Sequence, residues 1–436
     1  MQVRLQSVGP CVNRLLSSLS LKHGFIFLLL FSALFHFIGP YLYYELVGFQ
    51  TNYQPQTQMF YDRGAYNIGA AINILGLGVA GIVIIFLPNA KKIVPTTVKQ
   101  PAIFFIASFA WNLLYLYLSG GFQGVLAGKL LGSWYSYIGI FLMINIAFLL
   151  SMGLFSNSSS YLLSSLFVLC SVLNGSRSAP ISLLIVSFVL MSVELSNRRK
   201  LQYGAMLLVS LVFSVFFFKV ANSFRSSDFL LQRIEEVDRD SGGLSHIIGR
   251  ASFLETSMIP IIFKGHPDEH AQELETFYSK YSLANQLSLF ARYFFPGSLK
   301  RIIESKEPGF FNFDLLPNQY YRNIFLQETM EMVRKKYTSV NITFPVYVYM
   351  YSNAAVAILS YAIVLILSYL LIVFMAKCYA PISLVLFLNI YNLIYFFDAT
   401  DFLVMLLHSL LTMVAFLIFY AGYERFRKRI QFDKVA

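Results

Sequence analysis

An arginine in a short polar turn is the residue of this chain best suited to chemistry. Arg177 lies between two apolar stretches. Its guanidinium is therefore expected at a membrane boundary, where an unpaired charge is costly and usually faces a partner or a cavity. Gly175 and Pro180 let the backbone turn sharply, and the small Ser176 and Ser178 leave space for a ligand. A guanidinium offers a planar fork of donors that suits a phosphate or diphosphate. The alternative is an arginine that extends to lipid phosphates.

A second polar group lies further along, in a long charged segment. If that segment is helical, His246 and Arg250 are four residues apart and share a face, with Glu255 beyond them. Together they could supply a phosphate ligand and a base that titrates near neutral pH. A solvated helix face explains the same residues. Which of His246 and Glu255 would be the base stays open.

Other cations stand beside aromatic residues and are candidates for holding a polar substrate. Arg292 precedes Tyr293, and Arg322 follows a pair of tyrosines. Aromatic rings stack on the apolar faces of sugars and arginine binds acidic groups, so this mixture suits a glycan surface. It suits an ordinary amphipathic domain equally well. We group Arg63, near the start of an apolar stretch, with these residues as a candidate substrate ligand.

The histidines and the common catalytic motifs add little. His266 and His270 have a metal-chelating spacing, but Pro267 favours a helix start that leaves His266 outside the first turn. His36 and His408 lie within apolar stretches, and we interpret them as core histidines. The chain has no P-loop, no dinucleotide-binding glycine motif, no nucleophile elbow and no CxxC pair. We predict no metal site and no cofactor.

The composition places these residues in a membrane protein. Hydrophobic residues make up 57% of the 436, and the mean hydropathy is +0.62, well outside the range of soluble proteins. A membrane-spanning helix needs about 20 apolar residues. We therefore predict an all-α polytopic membrane protein with about ten transmembrane helices and one large, partly helical outer loop.

The apolar stretches divide the chain into five segments. These are a cytoplasmic N-terminus (1–23), helices one to seven (24–220), the large loop (221–344), helices eight to ten (345–421) and a basic cytoplasmic tail (422–436). The ten helices are predicted at 24–46, 66–87, 102–118, 135–155, 161–173, 181–195, 203–220, 354–375, 382–397 and 402–420.

The distribution of charge sets the orientation. The large loop holds 14 Lys/Arg and 15 Asp/Glu, so the net charge of +11 comes from the segments that flank the helices. With both termini inside, about 15 of the other 19 Lys/Arg lie on the cytoplasmic side, as the positive-inside rule requires. We predict cytoplasmic termini and an extracytoplasmic loop. The positive charge is thus a topology signal, and no nucleic-acid partner is expected.

Within the loop, one helix is predicted from 270 to 294. Leu274, Phe277 and Tyr278 recur at helical spacing, and further apolar residues continue the stripe. Such a helix could lie on the outer leaflet or cover the transmembrane bundle. The alternative is a helix that packs on its own domain.

This layout, with many helices, a large outer loop in the second half and a Gly/Ser-Arg turn before the helices that lead into it, resembles the bacterial O-antigen polymerase family (Wzy-type). That family is related in architecture to the O-antigen ligases. The matching sequence is the stretch 173–185 around Arg177, the stretch 249–253 that begins Gly-Arg, and more loosely 292–296. The chain lacks a second Gly-x-Arg turn in the loop, which weakens the roles of Arg292 and Arg322.

The resemblance implies an enzyme of the bacterial inner (cytoplasmic) membrane. Such polymerases join oligosaccharide repeat units carried on undecaprenyl diphosphate at the outer face of the membrane, as glycosyltransferases that need no metal. Arg177 and Arg250 would bind the diphosphate leaving group, which stabilises developing charge. The expected partners are the lipid-linked oligosaccharide, the bilayer and a chain-length regulator protein.

Three other functions remain open at this point. A lipid-linked oligosaccharide flippase or exporter would use the same arginines, but it should line its helices with charges. A membrane acyltransferase acting on surface glycans would use His408, for which Asp401 is a poor partner. A protein whose loop docks other envelope components would tolerate loss of Arg177.

Overall fold

The protein is described here by a computed structural model. It describes residues 20–47, 62–89, 102–120, 134–152, 254–280, 342–378, 380–395 and 399–433, with a few isolated positions besides. Every regular element in these ranges is helical. Apart from isolated positions, the fifth, sixth and seventh predicted helices lie outside the described residues.

The described helices are numbered here in chain order. They are α1 (Leu21–Ser32), a π-helical turn (Ala33–Ile38), α2 (Gly39–Val47), α3 (Arg63–Phe86), α4 (Ala102–Leu118), α5 (Trp134–Phe141), α6 (Ile144–Met152), α7 (Leu254–Gly265), α8 (Ala271–Lys280), α9 (Phe344–Tyr351), α10 (Ala354–Cys378), α11 (Ala380–Tyr395) and α12 (Ala399–Asp433).

Four stretches among the described residues are long and apolar enough to cross a membrane. They are Leu21–Leu46, Arg63–Phe86, Ala354–Cys378 and Leu406–Tyr423, and α4, α11 and the α5–α6 pair contribute shorter apolar helices. The protein is therefore a helical, membrane-embedded protein. The count of ten spans and the orientation stay predictions.

The first two predicted helices form an antiparallel hairpin. At one end, Lys22 donates a hydrogen bond to the Ile85 carbonyl (2.8 Å). At the other, the Tyr41 hydroxyl donates to the Asn67 side chain (3.2 Å). These contacts bring opposite ends of the two helices together, as a short connection between successive spans requires.

A π-helical turn interrupts the first span where the backbone cannot continue as a regular α-helix. Pro40 has no N–H, and its ring displaces the carbonyl four residues back. The Gly39 N–H donates to the Leu34 carbonyl, five residues back. A Cβ at Gly39 would lie 2.8 Å from that oxygen, so only glycine fits this close approach. The wider turn carries His36, which is 2% exposed and lies beside the Tyr391 hydroxyl of α11 (3.4 Å).

The fourth predicted helix, 135–155, is wrong as a single element. The chain forms α5 and α6 with a break at Leu142 and Met143. Thr412 of α12 lies at this break: its hydroxyl donates to the Ile140 carbonyl (2.9 Å) and accepts from the Met143 N–H (3.3 Å). Asn112 of α4 donates to the Leu142 carbonyl (3.4 Å). Side chains of two neighbouring helices thus satisfy backbone groups that lipid could not.

Replacing Thr412 with valine should destabilise the protein, because valine has nearly the same shape but no hydroxyl. Two backbone groups at the break would lose their partner, at a cost of about 1–3 kcal/mol. Thermal unfolding of the purified protein in detergent measures the loss. Thr412→Ser keeps the hydroxyl and is the control. Equal unfolding temperatures for the valine variant and the wild type would contradict this role.

The eighth predicted helix, α10, packs in parallel along α3. A Cβ placed on Gly76 would lie 2.5 Å from the Tyr361 ring, so the helices approach through this glycine. Further along, the Tyr369 hydroxyl donates to the Pro88 carbonyl just past the end of α3 (3.1 Å). Both helices therefore run in the same direction, as the predicted topology requires.

The last helix is longer than predicted. We predicted a span at 402–420 followed by a tail at 422–436, but α12 continues unbroken from Ala399 to Asp433. Its apolar part ends at Tyr423. The basic residues beyond it therefore stand on the same helix as the membrane span.

Candidate functional site

The described part of the large loop is attached to one end of the helical bundle. Its first helix, α7, is buried against α3. Ser257 and Ile261 lie next to Gly69, where an added Cβ would meet their side chains at 3.3 and 3.4 Å. Leu254, the first residue of α7, is fully buried. The loop is thus fixed to the bundle from the start of α7.

This end of α3 also carries the connection from the first span. Asp62 caps α3 by accepting a hydrogen bond from the Ala65 N–H (3.0 Å). Arg63 donates to Glu45 of α2 (2.7 Å) in an ion pair that is partly exposed on both sides. The described loop helices and the two ends of the 47–62 connection therefore lie at the same end of the bundle. This agrees with placing both on one side of a membrane.

Beneath α7, one stripe of α3 carries small and polar residues. Gly69, Asn73 and Gly76 recur at helical spacing, and Asn73 is fully buried. The Asn73 amide donates to the Gly69 carbonyl (2.8 Å), while its side-chain oxygen has no partner among the described residues. The Tyr361 hydroxyl of α10 is buried in the same state. Buried polar groups without a described hydrogen-bond partner are uncommon in folded proteins. The interface of α3 with α7 and α10 therefore has a polar interior.

A lysine joins α7 to α9. Lys264, in the last turn of α7, donates to the carbonyls of Tyr349 and Ser352 at the C-terminal end of α9. Its ammonium also lies 4.4 Å from the centre of the Tyr349 ring. A cation there complements the negative end of the helix dipole. Burial lowers the pKa of Lys264, and the two carbonyls favour the charged donor against that effect.

Removing this lysine should loosen the loop from the bundle. In Lys264→Met the aliphatic stem is retained but the two carbonyls lose a charged donor, at a cost of about 1–3 kcal/mol. We expect a lower unfolding temperature and faster proteolysis within 254–280. Lys377→Met, which removes an exposed lysine from α10, is the matched control. If both variants behave alike, Lys264 does not hold the loop.

Tyrosines from α8 and α9 form a cluster beside Lys264, here called the tyrosine cluster: Tyr278, Tyr347, Tyr349 and Tyr351. The Tyr278 hydroxyl donates to the Met350 carbonyl (2.9 Å), and its ring lies 5.0 Å from that of Tyr351. Tyr347 and Tyr351 share a face of α9 with ring centres 5.1 Å apart. Tyr351 is 51% exposed, so one ring of a fixed group is open to a ligand.

Below the tyrosine cluster, the loop has a small apolar core of its own. Leu274 and Phe277 of α8 are buried with Ile259 and Phe263 of α7 and with Met350 of α9. The predicted helix at 270–294 is therefore confirmed for Ala271–Lys280, and in that part it packs on its own domain. The stretch beyond it lies outside the described residues, apart from isolated positions.

The turn between α7 and α8 shows whether His266 and His270 share a helix face. His266 and His270 lie in the turn that joins the helices, before the first turn of α8. His266 thus stands outside the helix, as Pro267 predicted. The His270 ring packs 4.8 Å from that of Phe263. In the described ranges, no group of three or more His, Cys, Asp or Glu side chains is placed to hold a metal ion.

Most of the predicted site residues are not among those that the structure describes. Arg177, His246, Arg250, Arg292, Tyr293 and Arg322 lie outside the described residues. Glu255 is in the first turn of α7, where only its backbone is described. Arg63 is described, and its ion pair with Glu45 accounts for its charge without a ligand. The roles assigned to these residues stay predictions.

Sequence reasoning missed Lys264 and the three tyrosines of α9. The only signal for the tyrosines was their alternation at 347, 349 and 351, and for Lys264 there was none. Comparison of the chain with protein-family models, with curated proteins and with solved structures finds no match in any of them.

Proposed function

We propose that the protein is a polysaccharide polymerase, a membrane glycosyltransferase that joins undecaprenyl-diphosphate-linked oligosaccharide repeat units. It acts at the outer face of the bacterial cytoplasmic membrane, with both termini in the cytoplasm. The observation that carries this proposal is the attachment of the large loop. α7 begins four residues after Arg250 in the sequence and is buried against the end of α3, so the part of the loop that follows Arg250 is attached to the bundle.

The reaction needs cations where the lipid diphosphate departs. A hydroxyl of the acceptor unit attacks the reducing-end carbon of the donor chain, and the bond from that carbon to the diphosphate oxygen breaks. Negative charge develops on the undecaprenyl diphosphate, which Arg177 and Arg250 would neutralise. The acceptor proton passes to a base, for which His246 and Glu255 are the candidates. No metal is required by this scheme.

The glycan needs a surface of a different kind. Rings and hydroxyls held in fixed positions suit sugars, because a sugar presents apolar faces edged by hydroxyl groups. The tyrosine cluster supplies such a surface next to α7, and Arg292, Tyr293 and Arg322 would extend it for acidic sugars. Arg63 would contribute only if the ligand displaced Glu45. This arrangement supports a substrate that is lipid at one end and polar at the other.

A flippase fits less well. Moving a charged oligosaccharide through the membrane calls for polar and charged groups along the path. In the four described spans, the charged residues stand near the ends: Lys22, Glu45, Arg63 and Lys377. For an acyltransferase centred on His408, the side chain of the proposed partner Asp401 lies outside what the structure describes.

The test is a profile of lipid-linked and surface glycans from cells that lack the protein. A polymerase predicts loss of long chains while single repeat units still reach the outer face. Repeat units trapped on the inner leaflet would instead show a flippase, and an unchanged profile would overturn both. Restoring the wild-type gene must restore the long chains. A chain-length regulator, if it acts on this protein, should alter the length but not the presence of polymer.

A further inference from the structure

The C-terminal part of α12 extends beyond the membrane span and has no part in the proposed catalysis. α12 has 35 residues, a length of about 52 Å at 1.5 Å per residue. The hydrocarbon core of a bilayer is only about 30 Å thick. Since the apolar part ends at Tyr423, ten residues of helix continue past it, over about 15 Å.

These ten residues carry a dense positive charge. Arg425, Arg427, Lys428 and Arg429 fall within five positions, and the ten residues hold two acids, Glu424 and Asp433. Arg425, Lys428 and Arg429 stand at positions i, i+3 and i+4 and so share one face of the helix. The Arg425 side chain is exposed.

Apolar positions continue along another face. Phe419, Tyr423, Phe426 and Ile430 follow helical spacing. Within the membrane part, Phe416 and Phe419 pack on Phe104 in the first turn of α4, with ring centres 5.3 and 5.8 Å apart. This contact fixes the end of the span, so the basic turn emerges at a defined place beside α4.

The depth of the basic residues in the bilayer decides which groups they contact. The headgroup layer on each side of the hydrocarbon core is roughly 5–8 Å thick. Residues 424–428 cover about 7.5 Å of helix, so the cationic face begins inside that layer. Outside the chain, the counter-charges in that layer are lipid phosphates, and only acidic lipids carry a net negative charge.

We propose that the face of α12 formed by Arg425, Lys428 and Arg429 is a binding site for anionic phospholipid headgroups. Clusters of four or more basic residues directly next to a membrane span attract acidic lipids, each cation favouring them roughly fivefold near the surface. Because the helix is continuous from the span to Asp433, the three backbone positions keep a fixed spacing relative to the span. The site is independent of the proposed polymerase activity and of the orientation of the protein.

The experiment uses the full chain, purified and delipidated in a non-ionic detergent. It is titrated with dioleoylphosphatidylglycerol or dioleoylphosphatidylcholine, and bound lipids are counted by native mass spectrometry. The wild type should prefer phosphatidylglycerol by at least about fivefold. The triple variant Arg425→Gln/Lys428→Gln/Arg429→Gln should lose that preference, while Arg427→Gln alone should keep most of it.

A matched control removes the same charge from a basic run of the large loop that does not adjoin a membrane span, in the variant Arg334→Gln/Lys335→Gln/Lys336→Gln. It should bind phosphatidylglycerol like the wild type. Equal binding of the two lipids by the wild type, or equal losses in both triple variants, would overturn the proposal. So would displacement of the lipid by inorganic phosphate, which would show a free-anion site, or by duplex DNA. Unchanged unfolding temperatures in the variants show that they are folded.

Discussion

Replacing Arg177 or Arg250 with alanine is expected to abolish long-chain polymer while leaving the amount of protein in the membrane unchanged. Each substitution would remove a guanidinium that neutralises the departing diphosphate. Loss of one such electrostatic contact typically lowers the rate of the chemical step by about a hundredfold to a thousandfold. Gel analysis of surface polysaccharide, with immunoblots of membrane fractions, measures both quantities.

The lysine variants separate a guanidinium requirement from a simple need for charge. Arg177→Lys should also impair polymer formation, because a point charge does not replace a planar fork of donors. Arg425→Ala, at the far end of the chain, is a control that should leave polymer intact. Normal polymer length in Arg177→Ala or Arg250→Ala would remove that residue from the site. It would also favour the alternative function, a protein whose loop docks other envelope components.

Hydropathy predicted the helices whose bounds are set by residues within the helix or directly next to it. The third predicted helix matches α4 at 102–118, and the eighth begins at Ala354 as predicted. α3 starts three residues earlier than predicted because Asp62 caps it. These elements are determined locally, by apolar runs long enough to span and by polar residues that end them.

The break between α5 and α6 could not be predicted, because its cause is remote in sequence. Neither Leu142 nor Met143 is a helix breaker. The break is completed by Thr412, whose hydroxyl reaches it from another helix. The continuation of α12 was missed for the opposite reason. Hydropathy detects only the apolar part, while Glu, Arg, Lys and Gln are good helix formers that extend it.

The residues of the candidate site also differ in whether the local sequence could predict them. The arginines were found from residue type and local spacing, and their roles await the experiments above. The Lys264 bridge to α9 joins residues more than 80 positions apart, so no local pattern could predict it. The tyrosines of α9 alternate as in a strand, yet the segment is a helix with Pro345 in its first turn. Local propensity therefore gave no guide to the tyrosine cluster.

The packing of α3 on α10 leads to a second prediction with a large expected effect, on the stability of the protein. Gly76→Ala should destabilise the protein by about 1–3 kcal/mol, the usual cost of an overpacked core. Its Cβ would lie 2.5 Å from one ring atom of Tyr361 and 3.3 Å from two further Tyr361 atoms. Tyr361 is fully buried and has little room to move. The measurement is thermal unfolding in detergent.

Gly78→Ala is a close control, because it lies on the same helix and has no atom within 4 Å of the added Cβ. Both substitutions raise helix propensity equally, so the difference between them isolates the contact with Tyr361. Combining Gly76→Ala with Tyr361→Leu should recover part of the loss, as contacting residues couple in a double-mutant cycle. If Gly76→Ala and Gly78→Ala unfold together, α3 and α10 do not pack through Gly76. The loop would then be held on α3 by the contact of α7 with Gly69 and not by the packing of α10.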